Sequence, residues 1–108
     1  MSVKGQLRAC TDFLMVGMKA AERENSDEGK KLVRACMDHV ELLVRLSDNV
    51  KAHDVEATIP LLNKAAAEMY SDELSPAIIS ALRSAIERLH ALYSELAPPK
   101  AATKPSSN

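Results

Sequence analysis

At 108 residues the chain has room for one domain with a modest core, and 46% hydrophobic with 27% charged residues is the balance of a globular protein rather than a disordered one. A formal net charge of -1 excludes the basic footprint that a phosphate backbone requires, so no nucleic-acid partner is expected. Aromatic residues make up only 3%, one Phe and two Tyr with no Trp, so the core must be aliphatic, which favours helices over sheets.

The first helix is expected from Val3 to Arg23. At 100° per residue, Val3, Leu7, Cys10, Leu14, Gly17, Met18 and Ala21 fall on one stripe, flanked by Phe13, with Arg8, Asp12, Lys19 and Arg23 opposite. Gly17 lies inside the apolar stripe, where a missing side chain lets a neighbouring helix come close. The run ENSDEG breaks the pattern. Ser26 is a good N-cap, and Asp27 and Glu28 follow as acids in a first turn, where the helix dipole favours them. The second helix therefore starts near Asp27 and is expected to run to about Lys51 or His53.

Pro60 complicates the third helix, because proline has no N–H and clashes with the preceding turn. Thr58 as N-cap with Pro60 in the first turn gives a short helix from Ile59 to Tyr70. A longer form from Asp54 would align Val55 and Ile59 with Leu62 and Met69, but it would carry Pro60 in its interior; the short form is the expectation. The fourth helix has the clearest start, with Ser75 as N-cap and Pro76 at the first helical position. Ile78, Ile79, Leu82, Ala85, Ile86, Leu89, Leu92, Tyr93 and Leu96 form its apolar face, and Pro98 and Pro99 end it. The expected architecture is an all-α antiparallel four-helix bundle over residues 1–97 with a short third helix. Residues 98–108, rich in Pro, Lys and Ser, are expected to be a disordered tail.

Few residues point to chemistry. Cys36 and His39 lie one turn apart in the second helix. A zinc site would need Cys10 to join them, with an acid as fourth ligand. The packing reading is preferred: two small buried hydrophobes and a histidine at the core edge, with no metal or cofactor. Glu87 and His90 have the spacing used in di-iron bundles, but such sites need two such pairs and two further glutamates. A bundle with a histidine on a long helix resembles histidine phosphotransfer domains in architecture. That resemblance would imply a phosphoryl-accepting histidine, but Val40, Glu41, Leu42 and Leu43 follow His39 and none of them is cationic.

The second helix carries the strongest signal. One stripe holds Leu32, Cys36, His39, Leu43, Leu46 and Val50. A second holds Val33, Met37, Val40 and Val44, and together they span an apolar arc of roughly 220°, wider than one buried face needs. Either this is a central core helix, or the short third helix leaves the second stripe open to a partner. The second option makes Val33, Met37, Val40 and Val44 the candidate partner-binding residues. The function expected on that basis is a non-enzymatic interaction module (an adaptor, assembly factor or small chaperone) that binds a partner helix or forms a homodimer. A cytoplasmic location is expected, with no membrane partner, because two cysteines make no disulfide framework and no long apolar run is present.

Overall fold

The computed structural model describes residues 2–71 and 76–97 and builds them into four helices: α1 (Val3–Arg23), α2 (Asp27–Arg45), α3 (Ala52–Ser71) and α4 (Pro76–Leu96). A short 3-10 turn, Ser47–Asn49, lies between α2 and α3, and the described residues contain no strand. The expected all-α bundle is the observed one. The expected cap at Ser75 and the expected tail at 98–108 lie outside the described residues.

Local hydrogen bonds explain where the helices begin and end. Ser2 Oγ accepts from the Gly5 N–H at 2.9 Å and opens α1. At the other end Asn25 adopts a left-handed conformation, φ 54°, which asparagine tolerates better than most residues. The Asn25 N–H then donates to the Glu22 carbonyl and the Ser26 N–H to the Ala21 carbonyl, closing α1 in a Schellman motif. Ser26 also opens α2, its Oγ accepting from the Gly29 N–H at 3.0 Å. One short segment thus ends one helix, reverses the chain and starts the next. α2 stops at Arg45, earlier than expected, because Ser47, Asp48 and Asn49 are residue types that compete with the helix for backbone hydrogen bonds.

The expectation of a short third helix is corrected: α3 has 20 residues and begins at Ala52, with Pro60 in its interior. Its start signal is Asp54, whose Oδ2 accepts from the Lys51 N–H at 2.9 Å, half of a capping box. Pro60 leaves the Glu56 carbonyl without its intrahelical donor. Both residues are exposed, so water can take the donor's place. The face on either side of the proline is continuous, with Val55 and Ile59 before it and Leu62, Ala66 and Met69 after it all buried. Burial of that face offsets the roughly 3 kcal/mol that an interior proline costs. Thr58, expected to cap the helix, is instead fully buried and donates its hydroxyl to the Asp54 carbonyl at 2.9 Å.

α4 packs extensively on both α1 and α3, α1 packs on α2, and α2 with α3 forms the loosest of these junctions. α1 and α4 run antiparallel. Gln6 Nε2 donates to Glu95 Oε1 at 2.7 Å near one end, and the Cys10 thiol donates to the Ala85 carbonyl at 3.6 Å further in. Gly17 marks a tight approach. A Cβ on it would lie 3.1 Å from the Ala81 Cβ of α4 and 3.8 Å from a methyl of Val33 on α2. Replacing Gly17 with Val should therefore strain the packing of three helices at once and lower unfolding stability by about 1–3 kcal/mol. Urea unfolding measures this, and an unchanged midpoint would contradict the close crossing.

Candidate functional site

Val33 and Val40 are completely buried, Met37 is buried, and Val44 is half-buried at the margin of the core. The sequence expectation of an open face along Val33, Met37, Val40 and Val44 is corrected at this point. Val33 packs on Gly17 of α1, and Ile78 of α4 comes so near the α2 backbone that a Cβ on Gly29 would lie 3.1 Å from it. The second stripe is therefore the face that α2 turns into the bundle.

The wide arc does reach the surface, but on its other side. Of the first stripe, Cys36, Leu43 and Val50 are buried, Leu32 and His39 are half-buried, and Leu46 is exposed. Leu42, one turn before Leu46, is exposed as well. With relative exposures of 45% for Leu42 and 51% for Leu46, and exposed Ala35 two turns before Leu42, they form an apolar ridge along the outer edge of α2. The ridge borders the loose α2–α3 junction, where Leu32, Ala35 and Cys36 face Leu61, Lys64, Ala65 and Glu68 across a small cleft of about 160 Å³. Leu42 has a signal in the sequence. It is the large apolar residue of this helix that lies off both stripes, among Asp38, Glu41 and Arg45.

Charge surrounds this edge. Asp38 and Arg45 are both exposed and seven residues apart, which places them on one line beside Leu42. Among the described residues, the ion pairs closer than 4 Å are Lys30 with Asp27 at 3.4 Å and His53 with Asp54 at 3.4 Å, so neither Asp38 nor Arg45 is paired. That flank of the ridge looks toward α1, where Arg45, with Glu41 and Val44, also borders a cleft of about 500 Å³ shared with Arg8, Thr11 and Asp12. A larger cleft, about 700 Å³, is lined by Tyr70 of α3 and by Pro76, Ile79, Ser80, Arg83, Ser84 and Glu87 of α4.

Cys10 and Cys36 are free and buried. Burial pushes the Cys10 thiol up to about 12, with the neighbouring Cys36 adding to the shift and Arg88 opposing it. Burial likewise pushes Cys36 up to about 11. Both thiols therefore stay protonated at neutral pH, the form that is a poor nucleophile. Among the described residues no three His, Cys, Asp or Glu side chains gather closely enough to hold a metal ion, so Cys10, Cys36 and His39 do not form a site. Glu87 and His90 are both exposed on α4. No described helix is long and apolar enough to cross a membrane. No family model, curated protein or solved structure matches the chain.

Two outcomes test these placements. Val40→Asp should unfold the protein, because an unpaired charge enters a fully buried position, whereas Leu42→Asp should keep native helicity and change the stability of the dilute protein by less than about 1 kcal/mol. Circular dichroism with urea titration separates the two, and a folded Val40→Asp would return the second stripe to the surface. Both cysteines should resist alkylation at pH 8 in the native protein and react in urea. Folding favours their neutral form, so their contribution to stability is present below the ordinary thiol value near 9 and is lost as the pH rises toward 11–12. Rapid native labelling at pH 8 would contradict their burial.

Proposed function

We propose that the protein is a non-enzymatic interaction module, an adaptor, assembly factor or small chaperone, that presents the outer edge of α2 to a partner helix or to a second copy of itself. The observation that carries this reading is the ridge of Leu42 and Leu46, two large aliphatic side chains one turn apart and about half exposed. Full burial of each would contribute ~1.5–3 kcal/mol before the cost of association. Ala35, Leu32 and His39 extend the same edge, and the small cleft at the α2–α3 junction beside it has room for a side chain of a partner helix lying along the ridge. The two thiols are buried and protonated, which keeps them out of nucleophilic chemistry and favours binding over catalysis by these groups. Two free thiols suit a reducing compartment, and the reading places the protein in the cytoplasm.

A photo-crosslinking residue at position 42 tests the proposal in cells. Discrete adducts should form from position 42, with another protein or with a second copy, and none should form from exposed Ser94 on the outer face of α4. No adducts from position 42, or the same adducts from both positions, would overturn it.

A further inference from the structure

The exposed edge of α2 carries its own complement. We propose that this edge is the two-fold interface of a homodimer in which α2 packs antiparallel on α2 of a second copy; the proposal rests on the reading of the Leu42–Leu46 ridge as a docking surface. Asp38 and Arg45 are seven residues apart, two helical turns or ~10.5 Å along the axis, and lie on the same side of that ridge. In an antiparallel helix pair related by a two-fold axis, residues on the same flank face one another. An axis level with the midpoint between residues 41 and 42 therefore sets Asp38 of each copy against Arg45 of the other. One heptad spacing thus supplies two reciprocal ion pairs.

The same axis passes beside Leu42, so the two copies of this side chain meet at the centre of the strip. Large Leu46 of each copy then lies near small Ala35 of the other. Ala35, Asp38, Leu42, Arg45 and Leu46 are all exposed, and neither Asp38 nor Arg45 has an ion pair among the described residues of its own chain. Any apolar helix could cover the ridge, but the charge order of α2, an acid and then a base seven residues later, is self-complementary. It therefore favours a second copy in antiparallel register.

Charge exchange tests this directly, by sedimentation equilibrium on the full chain across a concentration series, with circular dichroism to show native helicity. Wild type should dimerise. Asp38→Arg and Arg45→Asp, each of which sets like charges together twice, should each weaken the dimer by ~10-fold or more. An equimolar mixture of the two variants should recover a dimer at least as tight as wild type, because one chain then carries two bases on this flank and the other two acids. A wild-type chain that stays monomeric to millimolar concentration would overturn the homodimer. If position 42 still crosslinked to a different protein in that case, the interaction reading would stand without it. A dimer insensitive to both reversals, or one that the mixture fails to restore, would overturn this pairing.

Discussion

The crossing at Gly17 is the contact on which the placement of α2 depends. With no side chain there, α1 lies close enough to α4 that a single added carbon would press on Ala81, and Val33 of α2 fills the space beside it. That packing is tied to the rotation of α2. With Val33 facing Gly17, Met37 and Val40 follow it into the core at helical spacing, and the opposite margin of the arc is carried outward. α3 packs mainly on α4 and meets α2 only loosely, so Leu42 and Leu46 stay exposed. The ridge is thus a consequence of how closely two other helices approach.

Much of the fold is legible in the sequence because it is written locally. α1 runs between the residues that periodicity indicates, Ser26 caps α2 as its place before Asp27 and Glu28 suggests, and α4 starts at Pro76. α3 is harder because two signals conflict. Pro60 marks a boundary by its own chemistry, while Asp54 opens the helix earlier through a single hydrogen bond. The continuous apolar face from Val55 to Met69 decides the conflict, and it does so through tertiary burial rather than local preference.

The sequence leaves the outward face of α2 undecided for a different reason. Periodicity measures the width of an apolar arc, but it does not say which part of that arc meets the neighbours. Val33, Met37 and Val40 are as apolar as the residues at the exposed edge, and only the packing of α1 and α4 distinguishes them. The more telling residue is Leu42, a leucine among charges. At that angle the side chain lies outside the buried face of α2 and stays about half exposed. The histidine and cysteines follow the simpler reading, with the thiols buried and His39 at the edge of the core.

α2 turns Val33 and Val40 inward and Leu42 and Leu46 outward. Paramagnetic relaxation of methyl signals by an inert soluble probe measures this directly in dilute protein. The Leu42 and Leu46 methyls should relax strongly while those of Val33 and Val40 stay protected. Strong relaxation at Val40 with protection at Leu42 would mean that α2 faces the bundle with its other side.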